Sequence, residues 1–193
     1  MDPVLRGVEV DNGSAEQRLL LGTVGWARPD WLTGYYPEDL PEEWRLAYYA
    51  NDCGCSLLDA DPLRAVDGLP STEMLAEVPA RLRLFIRAAA DPGSTRRALQ
   101  PFAGRPVVLL VEQRQADLAD YPQWEAQGAG EWRDPQSGAS LVCWSVETFD
   151  LRALRGRAAQ LPDDLRALVI GGPGASPARV PELRTLLELL GRG

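Results

Sequence analysis

The chain has 193 residues, 45% of them hydrophobic, which suits one domain with a full core. All 20 basic residues are arginine, and against 28 acids they leave a net charge of −8 with no histidine at all. That balance repels phosphate backbones and anionic lipid surfaces, so no nucleic-acid or membrane partner is expected, and it withholds histidine and lysine from any catalytic scheme.

Residues 1–17 read as an N-terminal extension, acidic where a signal peptide carries a basic region and an apolar run, and a cytoplasmic chain is expected. Short, nearly continuous apolar runs then alternate with amphipathic segments, the pattern of parallel strands covered on both faces by helices. The first run, 18–23, leads into Gly22, Thr23, Val24, Gly25 and Trp26. A helix follows at 39–51, with Asp39 as a cap and Trp44, Ala47 and Tyr48 at helical spacing. Cys53 and Cys55 open the second strand, 55–60. Their single-residue spacing and the lack of histidine argue against zinc, and with Cys143 they read as reduced thiols. No metal or cofactor is expected. Strands at 82–88 and 106–112 alternate with helices at 71–78 and 94–102, each opening on a serine cap, Ser71 and Ser94. The longest aliphatic stretch, 107–111, is far short of the roughly 20 residues of a spanning helix.

Between 121 and 139, Pro122, Gly128, Gly130, Pro135 and Gly138 interrupt any period, so this segment reads as an irregular excursion anchored by Trp124 and Trp132. Strands at 141–146 and 165–171 then flank a helix at 150–161, whose Leu151, Leu154, Ala158 and Leu161 share one stripe. The last helix starts near Pro177 and repeats Val180, Leu183, Leu187 and Leu190. The reading is a single α/β domain over 1–193 with about six parallel strand–helix units.

The opening Gly22–Trp26 motif, followed by Trp31, Tyr35, Tyr36 and Pro37 and then by Tyr48, Tyr49 and Ala50, resembles that of the YecE-like family, domain of unknown function seventy-two. A weaker similarity covers 168–190. The resemblance implies a TIM-barrel fold and leaves the function open. This chain departs from the family in its second strand, where Ser56, Leu57, Leu58 and Asp59 stand for Val-Glu-Ile-Asn and Pro62 and Leu63 for an aromatic pair. Arg87 stands for the lysine that ends the family's third strand, and the family's Arg-x-His-Gly has no counterpart. Because eight strand–helix units take about 250 residues, this length implies a shortened barrel, closed or open. An open one exposes two sheet edges, to be covered by the 121–139 excursion or by a second subunit in a homo-oligomer.

In a parallel barrel the residues just after each strand surround one rim, so the candidate site residues are Trp26, Asp59, Asp61, Arg87, Glu112, Glu147 and the turn Gly171, Gly172, Gly174 with Ser176. Asp59 and Asp61 share one side of an extended chain and are candidates for acid–base work; the alternative is a plain strand end and turn. The glycine turn, with Ser176 capping the last helix, offers free amides to a small anion, or is simply tight structure. Trp26 is a candidate pocket wall. Arg87 is either an anion clamp or the ion-pair partner of Asp59 or Glu112. Two functions follow: a degenerate, non-catalytic member that serves as a binding protein for a small anionic ligand or as an interaction protein, and a hydrolase or lyase using Asp59, Asp61, Glu112 or Glu147, with Arg87 stabilising negative charge, on a small phosphorylated or sugar-like substrate.

Overall fold

In the computed structural model, which describes residues 18–128 and 130–192, each of the six apolar runs becomes a strand, and the 121–139 excursion supplies two more. The expected N-terminal extension, 1–17, lies outside the described residues. The strands β1 (Leu20–Val24), β2 (Cys55–Asp59), β3 (Arg83–Arg87), β4 (Val107–Val111), β5 (Gln123–Gly128), β6 (Glu131–Arg133), β7 (Ser140–Ser145) and β8 (Leu165–Gly171) follow one another around a closed barrel in chain order. Every neighbouring pair is parallel except those of β6, which runs antiparallel to β5 and to β7.

This corrects the expected six-unit barrel: it has eight strands and is closed. The chain saves its length by joining β5, β6 and β7 as a meander, with no crossover helix on either side of β6. The residues that look like breakers are the turns of that meander. Gly130 sits between β5 and β6 with φ +80°, and after β6 the Gly138 amide donates to the Asp134 carbonyl at 2.9 Å. With the sheet closed there is no free edge, so the reason for expecting a second subunit falls away.

Helices α1 (Arg45–Asp52), α2 (Thr72–Glu77), α3 (Pro92–Leu99), α4 (Leu151–Ala158) and α5 (Val180–Leu189) pack outside. Ser71 caps α2, accepting from the Met74 amide at 3.3 Å, and Asp150 caps α4 through the Arg152 amide at 2.9 Å. The expected helix boundaries shift at two places. Asp91, not Ser94, caps α3, with Pro92 in its first turn, and Ser94 lies inside the helix as a donor to Asp91. The helix expected at 39–51 begins only with a 3-10 turn at Glu42–Trp44, which leaves Trp44 52% exposed and Asp39 in the turn before it. No helix of the described residues is long and apolar enough to cross a membrane.

The core has two layers. Inside the barrel, Cys55, Leu57, Phe85, Leu110, Trp124, Trp132, Leu141 and Val169 meet from alternate strand positions. Outside, the opposite faces of the strands, among them Leu58, Ile86, Leu109 and Ile170, bury against Leu46, Leu75, Leu99, Leu154 and Leu183 of the helices. Each such side chain contributes roughly 1.5–3 kcal/mol by leaving water.

The Gly22–Trp26 motif is explained by packing. A Cβ on Gly22 would lie 1.8 Å from the Cys55 carbonyl oxygen, so only glycine lets β1 and β2 approach. Gly25 has φ +78°, in the left-handed region that glycine adopts without strain. The fully buried Tyr49 hydroxyl accepts from the Thr23 amide at 2.9 Å and donates to the Cys55 carbonyl at 2.8 Å, tying α1 to both strands. Tyr36 donates to the Trp26 carbonyl, and Trp31 Nε1 to the Ala175 carbonyl at 3.0 Å. The clustered aromatics are therefore joints between elements.

Candidate functional site

The C-terminal mouth of the barrel is where the tails of β2, β3 and β4 bring charge together. Period-two alternation points Asp59 and Arg87, in register as neighbours on β2 and β3, into the barrel above its apolar filling. Arg87 Nη1 lies 3.2 Å from each Asp59 oxygen, and the guanidinium sits 5.5 Å from the centroid of the Trp132 ring. The Asp59 side chain is 2% exposed; burial raises its pKa, and Arg87 and then Arg64 pull it back. Of the two alternatives for Arg87, the ion pair with Asp59 is the one observed.

Asp61 ends the strand and turns the chain: its carboxylate accepts from the Leu63 amide at 3.0 Å and its carbonyl from the Arg64 amide at 3.0 Å. The turn delivers Arg64 to the rim. Arg64 Nε lies 3.4 Å from Asp61 and 3.9 Å from Asp59, while Nη2 donates to the Ala88 carbonyl at 3.0 Å. One hydrogen bond to the β3 tail and two carboxylates at the β2 tail therefore hold this one guanidinium in place.

Beside Arg64 opens a cleft of about 420 Å³ between the tails of β3 and β4, walled by Ala88, Ala89 and Ala90 on one side and Glu112, Arg114 and Gln115 on the other. Gln123, the first residue of β5, fixes that second wall: its side chain accepts from the Gln115 amide and donates to the Gln115 carbonyl, both at 2.8 Å. The Gln115 Oε1 atom is buried without a hydrogen-bond partner among the described residues, and so is Trp132 Nε1 beneath Arg87. A second cleft of about 370 Å³, with Asp59, Pro62, Asp67 and Leu69 in its wall, lies under the loop that follows β2.

The remaining candidates fall elsewhere. Trp26 is 3% exposed and buried beneath the β2 loop: its amide and that of Ala27 donate to Asp67 Oδ2 at 2.5 and 2.6 Å, and its Nε1 donates to the Gly68 carbonyl at 3.3 Å. Burial raises the Asp67 pKa against those two amides. Glu112 is exposed at the end of β4 and Glu147 exposed after β7, with β5 and β6 between those strands. In the turn after β8, the Gly174 amide donates to the Val146 carbonyl at 2.8 Å and the Ala175 amide to the Gly172 carbonyl at 3.1 Å, so these amides are spent within the fold. Arg28 Nη1 covers the same Gly172 carbonyl at 2.6 Å, and Ser176 accepts from the Ala178 amide at 3.3 Å as a cap.

Burial holds each thiol in its unreactive form: the Cys53 pKa is pushed up to about 12, that of Cys143 to about 11, and Cys55 well above its usual range. Among the described residues no three His, Cys, Asp or Glu side chains gather to hold a metal. Thus Asp59, Asp61 and Arg87 come together, Glu112 borders the same sector, and Trp26, Glu147 and the glycine turn do not join them. Arg64, Arg114 and Gln115 were not singled out from the sequence. The only trace of them there is their position, within a few residues after strands that end in Asp59 and Val111.

A closed barrel with parallel β1–β5 and β7–β8, helices outside and charged strand tails at one mouth is a variant of the TIM-barrel architecture. The fold is similar to that of a solved DUF72 family protein from Thermotoga maritima, with a TM-score of 0.54 and 13% identity over 88% of this chain and 99% of that one. That is the family whose motif the sequence resembles. No protein-family model matches the sequence, and no curated protein does so significantly.

Proposed function

We propose that this chain is a divergent DUF72 member whose barrel binds a small anionic ligand at the mouth without catalysing a reaction on it. The observation that carries the reading is the β3–β4 cleft, whose lining includes two arginines, Arg64, fixed by the Ala88 carbonyl and Asp61, and Arg114. Its volume of about 420 Å³ lies within the range of small-molecule sites. Guanidinium is suited to planar carboxylate and to phosphate through paired N–H donors.

The non-catalytic half rests on how the acids are engaged. Asp59 is paired with Arg87, Asp61 is engaged by its own turn and by Arg64, and Glu112 and Glu147 follow the ends of separate strands. The one feature favouring a carboxylate-dependent hydrolase or lyase is the raised pKa of Asp59, the property of a general acid, with Asp61 two residues away. A thermal-shift series with phosphate, sulfate, acetate and malonate tests the binding reading. At least one should raise Tm in the wild type through mass action, and Arg64→Gln and Arg114→Gln should each reduce that rise. No rise with any of them, or a rise unaffected by both substitutions, overturns it.

A further inference from the structure

The cleft that would receive the anion also carries the opposite charge. Glu112 and Arg114, two positions apart, both border it, yet neither makes an ion pair with the other or with any other side chain among the described residues. Beside them the buried Gln115 Oε1 accepts no hydrogen bond. That atom is withdrawn from water, so it stands behind the wall and not on the surface a ligand touches. One wall thus supplies one free acceptor, the exposed Glu112 carboxylate. Arg64, held from the opposite loop by Asp59, Asp61 and the Ala88 carbonyl, supplies donors together with Arg114. Gln123 keeps the acceptor wall in place through its two bonds to the Gln115 main chain, so the charges are arranged before any ligand arrives.

We infer that the ligand of this cleft is a zwitterion of the α-amino-acid type, its carboxylate on Arg64 and Arg114 and its ammonium group on Glu112. This rests on the anion-binding reading and narrows it. A simple anion would leave Glu112 as a repelling neighbour, whereas an amino acid engages both unpaired charges of the cleft, Glu112 and Arg114. The class is set by the head group; the open side of the cleft leaves the ligand's side chain outside the argument.

The test is isothermal titration of matched pairs that differ only in the amino group: alanine and lactate, aspartate and malate, phenylalanine and phenyllactate. In at least one pair the amino acid should bind about tenfold or more tighter than its hydroxy counterpart, since a site built to accept from N–H groups rejects an analogue lacking them. Glu112→Gln, an exposed substitution, should bring that ratio close to one, weakening the amino acid by loss of its ammonium partner and, with a repelling charge removed, not weakening the hydroxy acid. Equal binding of both members of all three pairs, or a preference that survives Glu112→Gln, overturns the zwitterion and leaves the anion reading standing. Binding of none of the six compounds, nor of phosphate, removes both.

Discussion

At the residue scale, the mouth is governed by one buried carboxylate and two arginines competing for it. Asp59 has its pKa raised above the ordinary 3.8, chiefly because burial penalises the charged form. The folded state therefore binds this proton more tightly than the unfolded chain does. The stability Asp59 contributes is complete below the unfolded pKa and is lost as pH rises through the folded one. The stability of the wild type relative to Asp59→Asn should accordingly fall as pH is raised from 3.8 toward neutrality, which denaturant unfolding at several pH values measures. A relative stability that climbs with pH would mean that Arg87 and Arg64 outweigh burial, reversing the order of causes. Asp59 and Arg87 were both legible in the sequence, because a charged residue at an inward position of a strand end is conspicuous among leucines and phenylalanine. Arg64 was not, since its place depends on a turn set by Asp61 hydrogen bonds that no periodicity announces.

At the element scale, the six long strands were visible because each is an apolar run, filled on both faces by the barrel interior and by helices. The pair β5 and β6 was hidden for the opposite reason. Gln123–Gly128 and Glu131–Arg133 bury only three of their nine residues fully, and the glycines and prolines in and around them read as interruptions when they are in fact turns. What betrays them in retrospect is Trp124 and Trp132, both inward and both buried, with Trp124 5.4 Å from Phe85. Trp132 is the main side chain by which β6 reaches the interior, and it also underlies Arg87. Trp132→Ala should therefore cost about 3–5 kcal/mol in urea unfolding, as large-to-small changes in packed cores do. A loss below about 1 kcal/mol would show that β6 is not integral to the closed barrel. Helix starts were read less well than strands because a cap is a single hydrogen bond. Asp91 displaced Ser94 by offering its carboxylate to two amides just before Pro92.

At the scale of the whole molecule, the chain closes an eight-stranded barrel in 193 residues by replacing crossover helices with a meander around β6. The overall class was legible from alternating runs and helices, and the Gly22–Trp26 motif pointed to the same family as the structural likeness. Closure was not legible, because length alone suggested missing strands when the chain had shed connections instead. The aromatic residues that carry the motif are occupied in holding β1, β2 and α1 together, which leaves the strand tails of β2, β3 and β4 as the sector free to meet a ligand. Mapping amide shifts of isotope-labelled protein during titration with phosphate and acetate tests this most directly. The account predicts that the shifts gather at 61–64, 88–90 and 112–115; shifts gathered at 171–176 instead, or none anywhere, would contradict it.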